Sequence, residues 1–156
     1  LPWLLGSIAP QPDDDVRAGF AGLSLHHDRG HMVRAVMEGV ALNMAWLRPA
    51  VEAFVGHDFD SLRFGGGAAQ SDLWAQVLAD ALDRPIHQIE EPRATNARGA
   101  AFLAFSTLGR LALDDVPSLL RIRAVYTPDS ANREGMDRAL RRLTALHGAL
   151  VNVTKL

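Results

Sequence analysis

Three consecutive glycines, Gly65, Gly66 and Gly67, follow the short apolar segment 62–64 and precede an amphipathic segment. Glycine inside a regular element costs roughly 0.5–1 kcal/mol relative to alanine, so a triplet indicates an unusual backbone path or the close approach of another group. A strand followed by glycines and a helix presents backbone N–H groups that a phosphate can approach closely. The triplet therefore predicts either a phosphate-binding turn or a tight turn without a ligand.

Two well-known phosphate motifs can be compared with this turn. A Walker loop needs a lysine beside the last glycine, and the only lysine of the chain is Lys155, at the other end. A dinucleotide fingerprint would need a third glycine at the position of Gln70, although Glu90 and Glu91 lie where an acidic ribose ligand would be expected. The Walker interpretation fails, the dinucleotide interpretation is weak, and a structural turn stays open.

Histidines and acidic residues form two further clusters of possible ligands. His26, His27 and His31 suggest a metal site, since His27 and His31 are four residues apart and could share a helix face, but Asp28 is the only further ligand nearby with suitable spacing. The acidic run at 13–15 could hold magnesium, yet such a run in a proline-rich loop is usually solvated. We therefore predict no metal site in this chain.

Composition limits the possible classes of protein. The chain has 156 residues, of which 48% are hydrophobic and 22% charged, as expected for one globular domain. A net charge of −2 argues against nucleic acid as the main partner. Cysteine is absent, which excludes disulfides, and no apolar run reaches membrane-spanning length, so we expect a cytoplasmic protein. The chain begins at Leu1 rather than at methionine, which hints at a longer parent protein.

The turn must be positioned by the helices and strands around it. Apolar residues at three- and four-residue spacing predict a helix from the cap residue Asp28 to about Phe54, kinked or split at Pro49. A second helix is predicted from about Ser71 to Leu82. The side chains expected to face the core are Val33, Val36, Val40, Met44 and Leu47 in the first helix and Leu73, Val77, Leu78 and Ala81 in the second.

Short strands are predicted to alternate with the helices. The strands are expected at 62–64 and 85–89, a third helix at 97–108, and a long last helix from Asp129 or Ser130. This order predicts an α/β layer with parallel strands and helical crossovers. Because a sheet needs three or more strands, the chain is expected to be the latter part of a domain whose first strands lie upstream.

Three segments of the chain, in this order and spacing, resemble the C-terminal lobe of FGGY carbohydrate kinases, which include xylulose, ribulose, gluconate and glycerol kinases. They are PWLLGSIAPQPDDDVRAGFAGLSLHHDRGHMVRAVMEGVALN, FGGGAAQSDLWAQVLADALDRPI and ATNARGAAFLA. The likeness is greatest to xylulokinases. It implies that residues 29–156 form the nucleotide-binding lobe of an actin-like (ribonuclease-H-like) ATPase domain, whose parallel sheet is expected to be incomplete from the count of strands. Residues 1–28 are rich in turn-forming proline, glycine and aspartate and are predicted to be an irregular connecting segment.

The resemblance also implies a role for the glycine turn. In the family this turn meets the phosphates of ATP, which is used with Mg²⁺, and a polar residue four positions past the second glycine contacts the adenine side. The corresponding positions here are Gly66, Gly67 and Ser71, with Gly65 and Gln70 as neighbours. The segment after the glycines is one residue longer than in some relatives.

The catalytic residues implied by the resemblance lie outside this chain. In the family the base aspartate and most sugar contacts belong to the upstream lobe, so we expect no catalytic residue here and no activity of this chain alone. A pentulose such as xylulose is the expected substrate of the full protein. The alternative is a non-catalytic actin-like lobe acting as an interaction module, and unpaired strand edges would allow a homo-oligomer.

Two positions depart from the family pattern. Gly6 is followed by the sequence SIAP, whereas many members carry a Glu-Arg pair after this glycine. Arg98 stands where a leucine is common. The first difference puts the usual cleft contacts of that loop in doubt, and the second is expected to place a charge either in solvent or at a position that marks a subfamily.

Overall fold

A computed structural model describes residues 1–154, so the last two residues of the predicted lobe, Lys155 and Leu156, lie outside the described part. Among the described residues the secondary structure is a mixture of helices and short strands. The helices are α1 (Arg29–Val55), α2 (Asp72–Leu82), α3 (Thr95–Thr107), α4 (Val116–Leu119) and α5 (Arg133–Thr154), and the strands are β1 (Leu62–Phe64), β2 (Ile86–Ile89) and β3 (Ile122–Tyr126).

Helix α1 begins and ends where local chemistry predicts. The Asp28 carboxylate accepts the His31 N–H at 2.9 Å, which satisfies one of the first N–H groups of the helix. At the other end Gly56 takes a left-handed φ of 82°. The helix continues through Pro49, so of the kink or split predicted there the split does not occur. One turn later, buried Glu52 anchors the helix end by accepting hydrogen bonds from Arg48 at 2.5 Å and from the Phe59 N–H at 3.0 Å.

The sheet is mixed, which corrects the expectation of parallel strands only. Its order is β1-β2-β3; β1 is parallel to β2, with Leu62 opposite Ile86, and β3 is antiparallel to β2, with Tyr126 opposite Ile86. The sequence analysis did not predict β3. Its segment Ile122–Tyr126 carries Arg123 among mostly exposed side chains, so it lacks the apolar pattern of a buried strand.

The core lies where α2 packs between α1 and the sheet. Buried Val77, Leu78 and Leu82 of α2 contact Ala41 and Ala45 of α1 together with Ile86 of β2. Helix α1 also packs against α5, which in turn contacts α2. The predicted inward position of Val77 and Leu78 is therefore confirmed.

The predicted core face of α1 is wrong at three of its five positions, while Val40 and Leu47 are half-buried. Val33, Val36 and Met44 are exposed, at 56%, 53% and 46% of their full surface, and Leu73 of α2 is exposed as well. The buried positions of α1 are instead Gly39, Ala41, Leu42, Ala45 and Glu52. Small residues on this face, such as Ala41 and Ala45, allow α2 and α5 to approach closely.

Residues 1–28 form no helix or strand of their own, apart from isolated bridges such as Ser7 with Asp13. They are nevertheless held against the helices. Trp3 and Val16 are buried with Leu143 of α5. The Ser7 hydroxyl donates to the Gln11 carbonyl at 2.7 Å and lies 2.9 Å from the ring of buried His147. In this chain the loop after Gly6 thus has a packing role. The division of the chain into two domains at this boundary stays a prediction.

Candidate functional site

The three glycines of the turn have three different relations to the surrounding structure. A Cβ at Gly65 would lie 2.5 Å from Thr95 Oγ1, so the space beside Gly65 is filled. Gly66 has φ 92° and ψ −174°, a conformation that essentially only glycine adopts. Gly67 has no left-handed φ, and a Cβ there would meet no atom within 4 Å. The fold therefore requires glycine at positions 65 and 66 but not at 67.

The turn is tied to the start of α3. The Gly66 N–H donates to the Pro92 carbonyl at 2.8 Å and to Thr95 Oγ1 at 3.3 Å, while the Thr95 hydroxyl donates to the same carbonyl at 2.7 Å. The Gly66 N–H is thus already satisfied inside the protein. Gly67 is the first residue of a 3₁₀ turn (Gly67–Gln70), so its N–H has no acceptor within that turn.

Ser71 and Gln70 lie at the junction of this turn with α2. Ser71 is the N-cap of α2, and its Oγ accepts the Trp74 N–H at 3.2 Å, which leaves the Ser71 O–H free to donate elsewhere. Exposed Gln70 donates from its side chain to the Gly67 carbonyl at 3.0 Å. The structure therefore brings all five predicted residues into one turn, from Gly65 to Ser71.

Gln88 of β2 is a polar contact of this turn that the sequence analysis missed. Its side chain is fully buried, and its amide donates to the Ala69 carbonyl at 2.7 Å and to Asp72 Oδ1 at 3.1 Å. The Tyr126 hydroxyl lies 3.5 Å from Gln88 Oε1 and shares its proton between this oxygen and Asp72. A glutamine on the same strand face as Ile86 was the available signal, because polar residues are rare at buried strand positions without a partner.

These contacts shift two pKa values. The hydrogen bond from Gln88, and then that from Tyr126, hold the pKa of Asp72 below its ordinary value. Burial, followed by its contact with Asp72, raises the pKa of Tyr126. Both shifts favour a negatively charged Asp72 beside a neutral Tyr126 at neutral pH, which preserves the hydrogen bonds around Gln88.

The other candidate ligands do not converge. Within residues 1–154 no group of three or more histidine and acidic residues could hold a metal ion. Asp28 and His31 pair with each other at the start of α1, and Asp13 accepts the N–H groups of Asp15 and Val16 within its loop. Arg98 of α3 is not free in solvent, since its guanidinium donates to two carbonyls of the preceding loop at 2.6 Å each.

Comparisons with known proteins agree on one family. A family model described as the C-terminal domain of the FGGY family of carbohydrate kinases matches residues 1–108. The glycerol kinase of Thermus brockianus is 35% identical over 146 residues, which are 91% of this chain and 29% of that protein.

Solved structures show the same likeness in three dimensions. The crystal structure of xylulose kinase from Rhodospirillum rubrum superposes with a TM-score of 0.79 and 33% identity, over 100% of this chain and 31% of that one. The Plasmodium falciparum glycerol kinase with ADP gives 0.71 and 27%, over 99% and 30%. The chain thus spans about a third of these proteins. The predicted actin-like α/β fold class is confirmed, with a sheet that is mixed rather than parallel.

None of the helices in the described part of the chain is both long and apolar enough to cross a membrane.

Proposed function

The chain belongs to the FGGY family of carbohydrate kinases, as its C-terminal domain, and from this premise we propose that its glycine turn binds the phosphates of ATP. The complete protein would transfer the terminal phosphoryl group to a hydroxyl of a sugar or polyol. The observation that carries the proposal is Gly67. The fold of the chain does not require glycine at position 67, because a Cβ there would meet no protein atom within 4 Å and the φ of Gly67 is not left-handed. Close approach of a phosphate to the backbone would explain it.

The roles within the turn follow from the hydrogen bonds. Gly65 and Gly66 shape the turn, and the Gly66 N–H is used by Pro92 and Thr95. We therefore assign the phosphate contact to the Gly67 N–H. Ser71 keeps a free hydroxyl proton for the adenine side, and exposed Gln70 borders the same surface.

We assign neither a magnesium ligand nor the catalytic base to a residue of this chain. Because the described residues hold no group of three metal-ligating side chains, we expect Mg²⁺ to arrive on the nucleotide phosphates. It would neutralise charge during phosphoryl transfer. The base aspartate and the sugar contacts are proposed to belong to the remaining two thirds of the protein, which relatives of this family contain.

The sugar stays open among the substrates of this family. The relatives include a glycerol kinase and a xylulose kinase, which act on a polyol and a pentulose. We propose a pentulose such as xylulose. A coupled ADP-release assay on the complete kinase, with xylulose, ribulose, gluconate and glycerol in turn, tests both the kinase activity and the choice of sugar. ADP release that no acceptor stimulates would refute the kinase proposal, and stimulation by glycerol alone would refute only the pentulose.

A second candidate function is an interaction module without catalysis. The exposed apolar side chains of α1 favour it, as does α3, which has no buried residue among its thirteen. Large exposed apolar surfaces typically mark contacts with another chain or domain. The same assay distinguishes the candidates, since an interaction module would bind a partner without acceptor-dependent ADP release.

A further inference from the structure

Gln88 is the polar residue on the buried side of the central strand β2. It is 0% exposed and lies between Ile86 and Ile89, which are 2% and 4% exposed. An amide at such a position is unfavourable unless its donors and its acceptor are hydrogen-bonded. Here both donors and the acceptor have partners, so the amide is accommodated by specific neighbours.

The two donors of Gln88 reach the same short segment of chain. They bind the Ala69 carbonyl inside the 3₁₀ turn and Asp72 in the first turn of α2. Ala69 is itself fully buried and lies two residues after Gly67. Gln88 therefore holds the glycine turn from the side of the sheet, 19 residues away in sequence.

A second clamp holds the other end of the turn. The Gly66 N–H is fixed by Pro92 and Thr95, as described above. Gly67 thus lies between two anchored neighbours, while no side chain packs where its own Cβ would be. A binding group needs such fixed support, since a displacement of about 1 Å can cost on the order of 100-fold in activity.

We propose that Gln88 is a positioning residue for nucleotide binding, which holds the Gly67 N–H in place through Ala69 and Asp72. The inference rests on the proposed function of the glycine turn. Gln88 itself is not proposed to touch the nucleotide, because its buried amide is already occupied by three protein groups. Its effect should therefore appear in the affinity for ATP rather than in the affinity for the sugar.

The test compares Gln88→Leu with Ile86→Val in the complete kinase. Leucine keeps much of the buried volume but loses the amide, and Ile86→Val perturbs the same face of β2 at a side chain that makes no hydrogen bond to the turn. We expect Gln88→Leu to raise the KM for ATP about tenfold, with kcat and the sugar KM within about twofold. Amide hydrogen exchange of residues 66–72 should accelerate in the nucleotide-free Gln88→Leu protein and not in Ile86→Val.

The outcomes separate the two proposals. If wild type releases ADP with a sugar and Gln88→Leu has the ATP KM of Ile86→Val, the positioning role is refuted and the proposed function stands. If wild type shows no ATP dependence, the proposed function fails, and the role of Gln88 in nucleotide binding fails with it.

Should Gln88→Leu not fold, Asp72→Ala removes an exposed partner of Gln88 and is expected to raise the ATP KM about threefold. An unchanged KM there would overturn the positioning role.

Discussion

The glycine turn allows a prediction in which substitutions at adjacent glycines affect either folding or nucleotide binding. A side chain at Gly67 meets no protein atom within 4 Å and needs no left-handed φ. Gly67→Ala should therefore change the free energy of unfolding little, or increase it by about 0.4–1 kcal/mol because the unfolded chain loses freedom. Gly67→Val adds bulk at the same place, where the proposal puts a phosphate of ATP.

The expected loss of ATP efficiency follows from one lost contact. A hydrogen bond to a charged group contributes about 1.5–3 kcal/mol, and about 1.4 kcal/mol corresponds to a factor of ten. We therefore expect Gly67→Val to lower kcat/KM for ATP by about 10- to 100-fold in the complete kinase. The sugar KM should change much less, and Gly67→Ala should have an intermediate effect on ATP alone.

Gly66→Ala and Gly65→Ala are the matched controls. Gly66 holds a conformation that costs other residues about 1–3 kcal/mol, and a Cβ at Gly65 would collide with Thr95. Both controls should lower the melting temperature, by about 2–4 °C for each kcal/mol in a domain of this size. Melting curves and ATP titrations on the same preparations decide the matter. A lowered melting temperature with unchanged ATP kinetics in Gly67→Val would show that the triplet is a turn only.

Four further predictions concern the chain itself. The hydrogen bond from Arg48, followed by that from the Phe59 N–H, lowers the pKa of Glu52. The ionised Glu52 side chain should therefore stabilise the folded chain above about pH 4.3, and this contribution should be lost as the pH falls through the lowered pKa. Urea midpoints measured from pH 7 to 3 should fall less steeply in Glu52→Gln than in wild type. Asp80→Ala should lower the free energy of unfolding by about 1–3 kcal/mol, because the buried carboxylate accepts hydrogen bonds from Asn132 and from two other donors. A urea midpoint equal to that of wild type would contradict this. The chain alone should show no sugar-dependent ADP release and should self-associate, and light scattering from a strict monomer over a wide concentration range would count against the association.

Local chemistry is the part of this fold that the sequence made predictable. Asp28 and Ser71 each cap a helix within the residues expected, because a short acceptor side chain before an apolar pattern satisfies the first N–H groups. The glycine turn was also foreseeable as a unit. The clamp by Gln88 and Thr95 was not, since both contacts join residues 19 to 29 positions apart, and no local pattern records such a pairing.

The wrong face of α1 has a different physical reason, which bears on how stable this chain can be. Helix α1 is apolar on two faces, and hydrophobicity alone favours the face with the larger side chains Val33, Val36 and Met44. The face that is buried carries small residues such as Ala41 and Ala45, because these let α2 and α5 approach. Burying one fully exposed large apolar side chain stabilises a protein by about 1.5–3 kcal/mol, and these three each have about half of their surface left to bury. A further part of a longer kinase that covered the three exposed side chains would therefore add several kcal/mol, and the same surface, left open, is the physical reason to expect the isolated chain to self-associate.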